Sequence, residues 1–161
     1  MAEESPTVKP TVVMEVTSHA LSLGKLAPIE FEAAIFTNLT PEHLDFHKTM
    51  ENYAAAKAEL FSHSKLSVVN LDSPYARQML AAAKGKTVTC STKGSATYTA
   101  DSVEMTDGEG VSYLLRSVKA TARIRCPIPG EFSVMNSLQA AACALELGIG
   151  ARAVKDALAN M

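Results

Sequence analysis

Apolar and polar positions alternate along this chain in blocks whose period changes several times, and the changes mark out its elements. Thr11-Val12-Val13-Met14-Glu15-Val16 is a short β-branched apolar run followed by polar Thr17-Ser18-His19, the pattern of a buried strand that ends at a ligand-facing loop. A second strand is predicted over Phe31 to Phe36 and a third over Leu66 to Asn70. Between them Thr40 reads as a helix N-cap with Pro41 in the first helical position, giving a short turn around Glu42 to Leu44 before a longer helix near Met50 to His63. Asp72-Ser73-Pro74 repeats the cap-then-proline signal, opening a helix to about Ala83, and Lys86 to Cys90 forms the next short strand.

The pattern then turns to strands alone. Thr97 to Met105, Val111 to Ser117 and Ala120 to Cys126 are strand-like, and Asp107-Gly108-Glu109-Gly110 predicts a hairpin turn. After Pro127-Ile128-Pro129-Gly130, helical periodicity runs from Phe132 to Leu147, with an alanine-rich face suited to close approach and Gly148 as C-cap. A last helix covers Ala151 to Asn160. The expected fold is α/β: a mostly parallel sheet flanked by helices, carrying a small antiparallel subsheet.

Composition narrows the function classes. With 161 residues, 47% hydrophobic and 20% charged, the chain can bury a core as one domain. A net charge of -2 without a Lys/Arg run gives no reason to expect nucleic acid or an anionic membrane as partner, and no stretch reaches the roughly 18 apolar residues of a span. Cys90, Cys126 and Cys143 are odd in number and lack CxxC spacing, which fits reduced core residues and a cytoplasmic location.

Candidate chemistry gathers around Thr37 to His47, at the predicted carboxyl end of a strand, where open α/β sheets place ligands. Glu15 lies within an apolar run; a carboxylate buried there needs a cation, a metal or strong donors, unless the pleat turns it to a solvated edge. Lys57 has Tyr53, Leu60 and Phe61 on its helical face, so it either snorkels or is neutralised, and a desolvated amine becomes a nucleophile able to take up carbon dioxide as a carbamate. In His43-Asp45-His47 a helical turn would disperse the three side chains, leaving His43 for a site and structural roles for Asp45 and His47. His19 either orients the Thr17-Ser18 loop or is plainly structural. Neither GxxxxGK[ST] nor GxGxxG occurs, which weighs against complete nucleotide chemistry in this chain alone.

Four blocks carry a family resemblance: Met14-Glu15-Val16-Thr17-Ser18-His19-Ala20-Leu21, Phe36 through His47, Met50 through Lys57, and Pro129-Gly130-Glu131-Phe132-Ser133-Val134-Met135-Asn136. Together they resemble the central domain of the Mur ligases, and within that family the branch adding the third residue to UDP-N-acetylmuramoyl-L-alanyl-D-glutamate. The resemblance implies an ATP- and Mg2+-dependent amide ligase of peptidoglycan synthesis, passing through an acyl phosphate that an amino-acid amine displaces. It implies Glu15, His43 and a carbamylated Lys57 as metal ligands, Thr17 as a contact to the UDP-muramoyl-dipeptide, and Asn136 as a contact to the adenine of ATP. Lys25 and Leu23 stand where the family has substrate-contacting Arg and Gln, and Ser133 where it often has Asn. Lys25 keeps the charge without the bidentate fork, and Leu23 has no donor.

The resemblance also implies that residues 1–161 are a partial central domain, lacking the phosphate loop and the N- and C-terminal ligase domains, and inactive by itself. A non-catalytic module retaining the muramoyl-peptide or metal site is the alternative. An unrelated metal-dependent hydrolase built on His43-Asp45-His47 would need those residues on one face.

Overall fold

The computed structural model describes residues 11–106 and 108–161. Six strands form one sheet in the order β1-β2-β3-β4-β5-β6, which is also their chain order. β1 (Phe31–Phe36), β2 (Ser64–Asn70), β3 (Lys86–Ser91) and β4 (Tyr98–Thr106) run parallel, whereas β5 (Gly110–Arg116) and β6 (Thr121–Cys126) add antiparallel ladders to β4. The parallel core and its antiparallel extension agree with the expected fold. Of the predicted hairpin turn, Gly108 and Glu109 form a turn with Gly108 at φ +77°, a conformation open to glycine, while Asp107 lies outside the described residues.

Helices cover both faces. α1 is Ser18–Ser22, α2 Leu44–His47, α3 Met50–Ser62, α4 Ala76–Ala82, α5 Phe132–Glu146 and α6 Ala151–Ala159. One core layer packs α5 and α6 against the sheet through Leu66, Val68, Tyr98, Tyr113, Leu138 and Ala142; the other packs α3 and α4 through Ala34, Phe36, Phe61, Val69 and Met79. Full burial of Leu138 alone contributes roughly 1.5–3 kcal/mol. β2 lies between the two layers, with Leu66 and Val68 packed on one side and Val69 on the other, and it is buried along nearly its whole length.

The direction of α5 follows from contacts at two positions. Gln139 donates through Nε2 to the Phe36 carbonyl at the carboxyl end of β1, 2.7 Å away, whereas Glu146, seven residues later, bonds Lys86 at the start of β3. The helix therefore runs against the parallel strands, and its first turns, with Asn136, sit toward their carboxyl ends. Glu146 is the anchor at the other end: its side chain is 3% exposed, Tyr98 donates to Oε1 at 2.6 Å, and Lys86 and Lys119 reach Oε2 at 2.6 and 3.0 Å.

Three expectations fail. Thr11–Val16 is not a strand: Val12 and Val13 are 83% and 93% exposed, because the run pairs with no neighbour among the described residues and β-propensity without a ladder stabilises little. Thr40-Pro41 does not open a helix. The turn starts at Leu44, after His43 has adopted a left-handed backbone at φ 57°, and Glu42 N–H closes a tight turn on the Thr40 carbonyl. Asp72-Ser73-Pro74 does not open α4 directly: the helix starts at Ala76, after Tyr75 and without a side-chain cap. The Asp72 carboxylate accepts from the Ser91 hydroxyl at 2.5 Å and from the Thr92 hydroxyl and N–H at 2.8 and 2.9 Å, tying together the carboxyl ends of β2 and β3.

Candidate active site

The segment before α1 and the loop after β1 meet over helix α3. Thr17 caps α1, its Oγ accepting from Ala20 N–H at 3.3 Å, so the expected polar loop after residue 16 is a one-turn helix. What holds this helix is His47, not His19. His47 is buried, bonds the Ser18 hydroxyl through Nε2 at 2.8 Å and stacks on Tyr53 at 5.0 Å with the rings 12° apart. Desolvation by burial, then the neighbouring His19 and His43, push its pKa down, so the neutral ring is favoured. His19 lies against His43 (ring centroids 5.1 Å) and Phe46 (4.2 Å). The structural role expected for His47 is thus what the fold gives it.

Lys57 extends from α3 toward the N-terminal segment and donates to the Val16 carbonyl at 2.9 Å. It is half-buried, and desolvation lowers its pKa against the opposing pull of Glu15 and Glu42, both close enough to favour the ammonium. Glu15 is an exposed carboxylate, the second of the two placements that its apolar run left open, and its charge lies near enough to favour the Lys57 ammonium. His43 reaches over the same helix one turn earlier, its ring 5.9 Å from that of Tyr53. His43 lies over the first turns of α3 and Lys57 at its middle, with the charges of Glu15 and of Glu42, which the pattern of the sequence did not single out, near enough to act on Lys57.

The remaining candidates are less gathered. Lys25 is exposed in the turn after α1, and Asn136 is exposed near the start of α5; neither side chain makes a hydrogen bond among the described residues. Leu23 is 60% exposed. Ser133 is buried and donates to the Pro129 carbonyl at 3.0 Å, fixing the turn that leads into α5. Phe132, 64% exposed and one turn before Asn136, shares its face.

Among the described residues, no three His, Cys, Asp or Glu side chains converge closely enough to hold a cation. The unmodified ammonium of Lys57 would also repel one. The donor chemistry suits a hard cation in a specific way: Mg2+ takes one or two carboxylates and keeps water and phosphate oxygens, and conversion of Lys57 to a carbamate would replace the opposing charge by a further carboxylate-like ligand.

A mostly parallel sheet with helices packed on both faces defines an α/β domain. Residues 2–144 match the Mur ligase middle domain, and the chain belongs to that family. It is 40% identical over 151 residues to the UDP-N-acetylmuramoyl-L-alanyl-D-glutamate–2,6-diaminopimelate ligase of Caldanaerobacter subterraneus subsp. tengcongensis, covering 93% of this chain and 31% of that enzyme. A ligase of the same name from Clostridium acetobutylicum is 40% identical over 146 residues, covering 91% and 30%. The chain spans about a third of the length of these curated relatives. A solved structure of such a diaminopimelate ligase superposes with a TM-score of 0.83 at 30% identity, over 91% of this chain and 31% of that one. MurF from Acinetobacter baumannii shares the fold at a TM-score of 0.72, 22% identity and 80% and 28% coverage.

Proposed function

We propose that this chain is the central part of an ATP-dependent amide ligase that adds the third amino acid to UDP-N-acetylmuramoyl-L-alanyl-D-glutamate in the cytoplasm, a step of peptidoglycan synthesis. The observation that carries this reading is a half-buried Lys57 on α3 that donates to the Val16 carbonyl of the segment bearing Glu15, in a chain 40% identical to such ligases. Diaminopimelate is the first amino acid to test, since the relatives' names specify it.

In this reading the neutral amine of Lys57 attacks carbon dioxide, forming a C–N bond and releasing one proton to give the carbamate. Lowering of the lysine pKa by burial increases the neutral fraction that can react. Glu15, His43 and carbamylated Lys57 would hold Mg2+, which when bound offsets charge on phosphate oxygens. Thr17 and Lys25 bind the UDP-muramoyl-dipeptide; Lys25, exposed on its turn, supplies a point charge for a carboxylate or phosphate. Asn136 binds the adenine of ATP from the first turns of α5, which point to the carboxyl edge of the sheet. The other partners are the remaining domains of a ligase, and the isolated chain is inactive.

A second reading is a non-catalytic module that binds muramoyl-peptide or metal through the same Glu15, Thr17, His43 and Lys57. Carbon-13 NMR in labelled bicarbonate separates a reactive lysine from a structural one. A carbamate resonance is expected in the wild-type chain and not in Lys57→Arg. Its absence from the wild type at alkaline pH would defeat the assignment of Lys57. Saturable binding of the UDP-muramoyl-dipeptide by the isolated chain would support the module, and ligation by the isolated chain would overturn its proposed inactivity.

A further inference from the structure

Two successive carbonyls at the end of β1 are taken by carboxamides from other parts of the fold. Asn70, at the carboxyl end of β2, donates to Thr37 O at 2.7 Å, and its own Oδ1 accepts from Asp72 N–H at 2.8 Å. Gln139, from α5, donates to Phe36 O at 2.7 Å across 103 residues of sequence. The backbone leaves the sheet between these two bonds and becomes the loop that carries Glu42 and His43.

Gln139 is an unusual choice for that position. It stands on the sheet-facing side of α5 with Met135 and Ala142, both buried, and is itself 0% exposed. Its Oε1 has no partner among the described residues. A buried, half-satisfied amide is destabilising relative to an apolar side chain of the same shape. Packing alone therefore does not account for a glutamine here, whereas the bond to Phe36 O does.

We infer that Gln139 is a positioning residue: its carboxamide locks the carboxyl end of β1 to α5 and so sets where the Thr37–His43 loop departs, coupling the helix that bears Asn136 to the loop that bears His43. The consequence for metal binding rests on the function proposed above; the consequence for the loop does not. The bond acts through Phe36 O, and the order it imposes is passed on by Leu39, buried with its N–H on the Asn38 side chain at 2.8 Å, and by the Glu42–Thr40 turn.

Gln139→Met nearly keeps shape and removes the orphaned acceptor, which offsets part of the cost of leaving Phe36 O without its donor, so the loss of overall stability is small. Amide hydrogen exchange of the full chain, followed by NMR, is expected to show protection of Leu39 and Glu42 falling about tenfold, the effect of one lost hydrogen bond, with Val68 and Val88 in β2 and β3 unchanged. Unchanged protection at Leu39 and Glu42 would overturn the inference, and so would a parallel fall at all four, which marks a merely structural residue. Should the variant fail to fold, the wild type decides. The side-chain amide protons of Gln139 should exchange slowly, in step with Leu39; exchange at the rate of a free carboxamide overturns the lock. Mn2+ then serves as probe of the metal reading: it should broaden the His43 ring resonances in the wild type and bind several-fold more weakly to Gln139→Met. No broadening in the wild type would sink the metal assignment and leave the exchange comparison to judge Gln139.

Discussion

Glu146 shows most directly how one side chain can hold several elements. Its carboxylate receives Tyr98, Lys86 and Lys119, so helix α5 is joined at one residue to β3, to β4 and to the turn before β6. Burial alone would raise its pKa, but the hydrogen bonds and the two ammonium groups prevail and hold it at about 2. A carboxylate whose folded pKa lies below its unfolded value stabilises fully above the unfolded value and loses that contribution as pH falls toward the folded one. We therefore expect Glu146→Gln to lower stability by about 1–2 kcal/mol at neutral pH, discounted because Lys86 and Lys119 remain substantially solvated. In thermal unfolding across pH, the gap between wild type and variant should close between about 4.5 and 2. A gap that stays constant over that range would show that the ionised carboxylate is not what is lost. At the same scale, Lys57 was legible because a cation interrupts an apolar helical face, and Glu42 was not, since nothing local distinguishes it from any exposed glutamate.

Elements that begin and end on local chemistry are the ones whose bounds were legible. α3 starts where Thr49 caps Asn52 N–H, and α5 ends where Gly148 takes φ +91°. A Cβ at Gly148 would meet nothing within 4 Å, so Gly148→Ala isolates the backbone cost of that conformation. About 1 kcal/mol of destabilisation is expected in urea titration with an unchanged m value. No loss would mean that the left-handed C-cap is not maintained in solution. The short elements α1 and α2 were misjudged for the opposite reason. Their positions depend on His47 reaching Ser18 across 29 residues and on a left-handed His43, neither of which any window of sequence contains.

For the molecule as a whole, the mostly parallel sheet, its antiparallel extension and the flanking helices followed the change from mixed helix-strand periodicity to strands alone, whereas the order of strands in the sheet came from the structure. The failure was the run Thr11–Val16, whose pattern reads as a buried strand while Val12 and Val13 lie in solvent. Replacing both by serine is expected to shift stability by less than about 0.5 kcal/mol per site in thermal unfolding, the usual size for exposed positions. A loss of several kcal/mol would mean that the run is packed as a strand after all, and the exposure of Glu15 would have to be revised with it.

The amino-acid sequence by itself determined the fold class, nearly all of the strands and long helices, and the residue types of the candidate site, because alternation, caps and glycines act over a few residues and apolar faces must be buried. Tertiary structure alone decided which of those residues meet. Lys57 bonds the Val16 carbonyl, His47 rather than His19 secures α1, Asp72 binds the loop after β3, and Gln139 locks the end of β1. Each of these is a hydrogen bond or charge contact between segments distant in sequence, and such partners are chosen by the path of the whole chain.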